Sequence, residues 1–145
     1  LEAVAQWLDD HIVEAPWQQA TAAGIARVAE SSFAMFDQRP QLILAQWATP
    51  TGRRLRELGR RRRLQAYGAA LREVSSHLTE DEQRSAHGII SYLLSSWTWK
   101  TLREEFQMSG KESGKAVSWA INTLVADLRR RNDEASSHSP EGVGK

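Results

Sequence analysis

Residues 91–131 read SYLLSSWTWKTLREEFQMSGKESGKAVSWAINTLVADLRRR, and the way this stretch distributes its apolar residues decides the fold. It predicts two antiparallel helices joined by a tight turn at residues 108–110. On the first, Ile90, Leu93, Leu94, Trp97 and Thr101 share one side, while Tyr92, Ser95, Trp99, Leu102 and Phe106 repeat on roughly the other. On the second, Val117, Ala120, Ile121, Leu124 and Leu128 mark one face, and Ala116, Trp119, Thr123 and Ala126 turn towards the other. One core cannot easily use both sides. The pair is therefore expected to close its own domain with one side and to meet a partner with the other, as helical dimers do. The expected interface residues are Trp99, Leu102, Phe106, Trp119, Thr123 and Ala126, although periodicity alone leaves open which face takes which role.

Working outward, Ser109-Gly110-Lys111-Glu112 has the form of a capping box for the last helix, and Arg129-Arg130-Arg131 sets cations at its negative end. Thr79-Glu80-Asp81-Glu82 repeats the box and predicts one long helix from there to Gln107. Thr49-Pro50 fits an N-cap followed by proline at the first helical position, opening a helix that runs to about His77. Leu55, Leu58, Ala66, Ala69, Ala70 and Val74 should face inward there. Gly59 and the run Arg60, Arg61, Arg62, Arg63 should interrupt that helix as a wet junction or bend, because four arginines cover more than one turn. Pro40 separates a short helix over 41–48, carrying Leu42, Ile43, Leu44 and Trp47, from a helix over 17–38 that is apolar all round and so central and buried. Leu1, Val4, Leu8 and Ile12 mark an amphipathic first helix ended by Pro16. It opens helix-periodic with no capping residue and no Met ahead of it, so the sequence is expected to be the C-terminal part of a longer protein. No period-two alternation or internal repeat occurs. The expectation is an all-α bundle of about six helices forming one domain over 1–132, with a polar, disordered tail over 133–145.

The totals fit that picture. At 145 residues, one domain can bury roughly 70% of its extended-chain surface and leave space for a ligand. A formal net charge of +1 provides no global field for nucleic acid or membrane. The absence of cysteine excludes disulfides, thiol catalysis and thiolate metal sites, and no apolar run approaches the roughly 20 residues of a membrane helix. A soluble, cytoplasmic protein is expected.

Motifs for chemistry are few. His11, His77, His87 and His138 are scattered, so no metal site or cofactor is expected. No Gly-x-Ser-x-Gly elbow accompanies the many serines, and paired acids such as Glu104-Glu105 point to different helix faces, so the chain is not expected to be an enzyme. The cluster Arg53, Arg54, Arg56 and Arg60 to Arg63 could meet phosphates, but Glu57 interrupts it and no aromatic residues interleave; a solvated junction is the simpler reading. A helix-turn-helix over 102–124 is opposed by the length of the helix expected before it and by Trp119 on its reading face. Aromatic and amphipathic side chains on the central helices suit a ligand cavity better. Phe33, Met35, Phe36, Trp47, Tyr67, His87 and Trp97 are the candidate lining, for an effector that is largely apolar or aromatic with one or two polar groups.

The pattern Trp99-x-x-Leu102-Arg103-x-x-Phe106, the Ser109-Gly110-x-Glu112 turn and Ala116-Val117-x-Trp119-Ala120-Ile121 resemble the last two helices of TetR-family transcriptional regulators. Leu1-Glu2-Ala3-Val4-Ala5 resembles the helix that follows the DNA-binding head in that family, and Arg39-Pro40 the break after its central helix. The resemblance implies a regulatory domain that homodimerises through a four-helix bundle, two helices from each subunit, and encloses a small effector among the remaining helices. It further implies a repressor whose helix-turn-helix heads release operator DNA when the effector binds. Those heads would precede Leu1, so DNA binding is not expected of the chain itself. The alternative is a nucleic-acid-binding domain acting through residues 53–63 or 102–124.

Overall fold

A computed structural model describes Trp17 and residues 20–138. Among these residues are six helices and no strand: α1 Ile25–Gln38, α2 Pro40–Ala48, α3 Pro50–Arg72, α4 Glu80–Leu93, α5 Ser96–Phe106 and α6 Gly110–Ser137. The protein is an all-α bundle, as expected. None of the described helices is long and apolar enough to cross a membrane. The amphipathic helix expected before Pro16, with His11, lies outside the described residues, as does the tail from residue 139 onward.

Local sequence explains the helix ends. The Thr49 hydroxyl accepts from the Gly52 amide at 3.0 Å, with Pro50 in the first turn where its missing N–H costs nothing. Both capping boxes form. Thr79 and Ser109 accept from the amides of Glu82 and Glu112, whose carboxylates return to the cap amides at 3.0 and 2.7 Å. Those bonds hold both carboxyl groups below the usual glutamate range.

The core is built on α1, whose Ile25, Ala26, Val28, Ala29, Phe33 and Phe36 are buried. α6 lies along it, burying Val117, Ile121, Val125 and Leu128. Close approach needs two glycines: a Cβ on Gly110 would overlap the Phe33 carbonyl, and one on Gly114 would sit 2.9 Å from the Glu30 Cα. Asp37, at the end of α1, ties three helices together. Its carboxylate accepts from Trp99 Nε1 on α5 at 2.9 Å, from Arg103 Nη1 at 3.2 Å and from the Gly110 amide that begins α6 at 2.5 Å. Asp37→Ala leaves those donors unmatched in a partly buried site, so it should lower unfolding free energy by about 2–3 kcal/mol in a urea titration. A loss under about 0.5 kcal/mol would show that water replaces the carboxylate.

Five features differ from expectation, the first being that α3 ends at Arg72 and not near His77. The helix expected over 17–38 starts at Ile25, because the Thr21 hydroxyl accepts from the Gly24 amide at 3.1 Å and holds residues 22–24 in a turn. The single helix expected over 79–107 is two. Ser95 caps the Thr98 amide, and the hydroxyls of Ser95 and Thr98 both donate to the Tyr92 carbonyl, at 2.6 and 2.7 Å, beside the Ser95 amide at 3.0 Å and in place of the Ser96 amide that a continuing helix would supply. Conversely, α3 runs unbroken for 23 residues through Gly59 and the arginine run. Gly59 is buried, Arg60, Arg61 and Arg62 point outward, and Leu58 and Ala69, expected inside, are exposed. Finally, α6 continues past residue 132 to Ser137. Asn132 is buried and accepts from the His77 amide at 2.7 Å, so that position joins the fold instead of ending it.

Candidate functional site

The break at Ser95 re-phases the chain and thereby shapes a cleft between α3 and α4. α4 presents Arg84, His87, Gly88, Ser91 and Tyr92, spaced as one helical stripe. α3 presents Arg56, Arg60 and Leu64, a second stripe four residues apart. Trp47 from the end of α2, and Ser95 and Trp97 from the start of α5, close one end. The result is an open cleft of about 720 Å³, within the usual range for small-ligand sites.

Its walls are held from several directions. Trp47 and Trp97 meet edge to face at 5.0 Å, and Trp47 Nε1 donates to the Ser96 hydroxyl at 3.2 Å. The Arg56 guanidinium lies 3.5 Å over the Trp47 ring. Burial, then the neighbouring charges of Arg60 and Arg63, hold Arg56 below its ordinary pKa. His87 Nε2 lies 2.7 Å from the Leu64 carbonyl, which can only accept, so Nε2 donates that bond. Among the described residues, two buried polar atoms of the lining, Arg56 Nε and Ser91 Oγ, have no partner.

Three of the seven residues expected to line a pocket come together here: Trp47, His87 and Trp97. The others do not line it. Phe33 and Phe36 stack at 5.9 Å inside the core, where Phe36 meets Trp99 at 5.6 Å. Tyr67 is buried in that core too, which pushes its hydroxyl up to about 12, and Met35 is half-buried on α1. An apolar residue on a central helix is most often consumed by packing, and these were. Sequence reasoning missed the arginines as lining. The signal was present in the spacing of Arg56 with Arg60 and of Arg84 with His87, Gly88 and Ser91.

A second surface runs along α4, α5 and α6. Between α4 and α6 lies a groove of about 530 Å³, floored by Leu78, Ile89, Ile90, Leu124 and Leu128 and rimmed by Asp81, Glu82, Asp127 and Arg131. Of the expected interface residues, Trp119 is 73% exposed and Phe106 62%, Thr123 and Ala126 are exposed, and Leu102 is half-buried. Trp99 is not on that surface at all. It is wholly buried against α1, because the break after Leu94 rotates Trp99 inward and Trp97 outward.

The helix before the turn at 107–109 is only 11 residues long, so its length no longer argues against a helix-turn-helix. Burial does: the start of α6, which would read base edges, packs Gly110, Ser113, Gly114 and Val117 against α1. Among the described residues no group of three His, Cys, Asp or Glu side chains is placed to hold a metal ion. Comparison with known proteins finds no matching family model, no matching curated protein and no matching solved structure.

Proposed function

We propose that this chain is the effector-binding and dimerisation part of a TetR-like transcriptional repressor, acting in the cytoplasm. In this reading two copies pair through the outer sides of α4, α5 and α6, and a small effector with an aromatic or apolar body occupies the cleft between α3 and α4. DNA recognition belongs to a helix-turn-helix head outside this sequence, and the chain itself performs no catalysis.

The observation that carries the reading is the double use of α4. Arg84, His87, Ser91 and Tyr92 face the cleft, while Asp81, Ser85 and Ile89 face the apolar groove beside α6. A ligand can alter a dimer only if it binds one arrangement better than another. A helix with its ligand contacts on one side and its partner contacts on the other meets that requirement directly. The exposed Trp119 supplies the second support, since an indole this open on a helix otherwise lined by Thr123 and Ala126 is an uncommon solvent face.

The test is the assembly state. The chain should sediment as a dimer at micromolar concentration, and Trp119→Asp should sediment as a monomer with unchanged helix content. An interfacial indole replaced by a buried charge typically weakens association by more than about 2 kcal/mol. A wild-type monomer would overturn the dimer, and an undisturbed dimer in the variant would move the interface off this face. The competing reading, a nucleic-acid face formed by the arginines of α3, expects salt-sensitive binding of duplex DNA by the chain itself. We expect none.

A further inference from the structure

We propose that the ligand of the cleft is a small organic anion, a carboxylate or phosphate carried on a flat aromatic body, with the anionic group held by Arg60 and Arg84 and the body against Trp97 and Tyr92. The inference rests on the cleft being the effector site and goes beyond it by assigning the charge.

The sign of the charge follows from the lining. Three arginines line the cleft, Arg56 and Arg60 from α3 and Arg84 from α4, and among the described residues no aspartate or glutamate lines it. The whole chain carries 19 basic and 18 acidic residues, so this separation is local. A bound carboxylate or phosphate would offset the desolvation and repulsion that act on Arg56. The direction of the Arg56 shift agrees, since burial and its arginine neighbours disfavour its charged form. Arg60 pairs with Glu57 at 3.4 Å, an exposed and weak surface pair that a ligand can displace.

Geometry adds the shape. The Trp47 ring under Arg56 fixes that guanidinium at 3.5 Å instead of leaving it to sample solvent. Buried polar groups in native proteins are nearly always paired, and among the described residues Arg56 Nε and Ser91 Oγ, on two lining residues, are not. Trp97 is 40% exposed and Tyr92 53%, leaving ring surface for a planar body. A nucleic-acid strand would need cations along an open track. Here they line a cleft of about 720 Å³ that also contains the Trp47 and Trp97 pair.

Calorimetric titration of the 145-residue chain with 2-naphthoate, 2-naphthyl phosphate and the neutral 2-naphthamide tests the assignment. Charge-assisted hydrogen bonds predict that at least one anion binds roughly tenfold or more tightly than the amide. Whether the carboxylate or the phosphate leads identifies the group. Arg84→Gln and Arg60→Gln should each erase most of that preference, and Arg84→Lys should restore part of it by returning the charge. Amide binding as tight as that of both anions would overturn the anionic assignment while leaving the cleft as an effector site. Failure of all three compounds to bind would overturn the anionic assignment, and salt-sensitive duplex DNA binding in the same preparation would remove the effector reading with it.

Discussion

Trp99→Ala is expected to destabilise the fold by about 3–5 kcal/mol, read as a lowered urea midpoint with unchanged slope. The indole is wholly buried, meets Phe36 edge to face at 5.6 Å and donates to Asp37 at 2.9 Å. Alanine would leave a cavity at the meeting point of α1 and α5 and remove one of the donors that orient the Asp37 carboxylate, which also receives the first amide of α6. Against a typical total of about 5–15 kcal/mol, that loss takes a large share of the stability. Trp99→Phe keeps most of the ring volume and loses the N–H, so it should cost about 1–2 kcal/mol. A Trp99→Ala variant that melts like the wild type would mean that this tryptophan faces outward after all, restoring it to the interface surface.

Gly110→Ala should be comparably severe, with a loss of about 3 kcal/mol or more in the same titration. The new methyl group would overlap the Phe33 carbonyl oxygen and carbon, and these are backbone atoms that cannot rotate away. Relief requires α6 to lift from α1, which weakens the Gly110 amide bond to Asp37 and loosens the packing of Val117 and Ile121 further along. In an exposed helix the same change would stabilise by about 1 kcal/mol, so the sign itself is diagnostic. A stabilised Gly110→Ala would sink the close crossing of α1 and α6.

Both substitutions act on the same joint, and the joint explains how the two surfaces of the molecule are held in relation. Asp37 fixes the start of α6 to α1 and to α5, so the exposed side of α6 and the Trp97 end of the cleft share one rigid anchor. α4 alone contributes to both cleft and groove, and it is bounded by a capping box at one end and the Ser95 break at the other. A shift of α4 against that anchor is the motion by which occupancy of the cleft would reach the outer face under the proposed function.

Much of this architecture was legible residue by residue. The caps at Thr49, Thr79 and Ser109 and the stop at Arg39-Pro40 depend on groups within three or four positions of each other, and each was placed correctly. The buried character of α1 followed from helical period, and so did the grouping of Trp119, Thr123 and Ala126 on one face, while their outward orientation is decided by the packing of α6 on α1. The Ser95 break was missed because an apolar period on either side continues across it; only the hydroxyl bonds to the Tyr92 carbonyl, which compete with the helix ladder, end α4 there. That single miss misplaced Trp97 and Trp99, since a helix restarted after a turn has a new rotational phase.

Helix content, helix order and the turns between them are thus local matters, settled in this chain by prolines, hydroxyl caps and the spacing of apolar side chains. The cleft is of another kind. Trp47 reaches Ser96 across 49 positions, His87 reaches Leu64 across 23, and Asp37 reaches Gly110 across 73. No local preference relates such residues. Their meeting depends on how closely α6 can approach α1 at two glycines and how α5 is turned after Ser95, and from those tertiary distances Arg56 and Arg60, read in sequence as part of a solvated junction, line one cleft with Trp47 and Trp97.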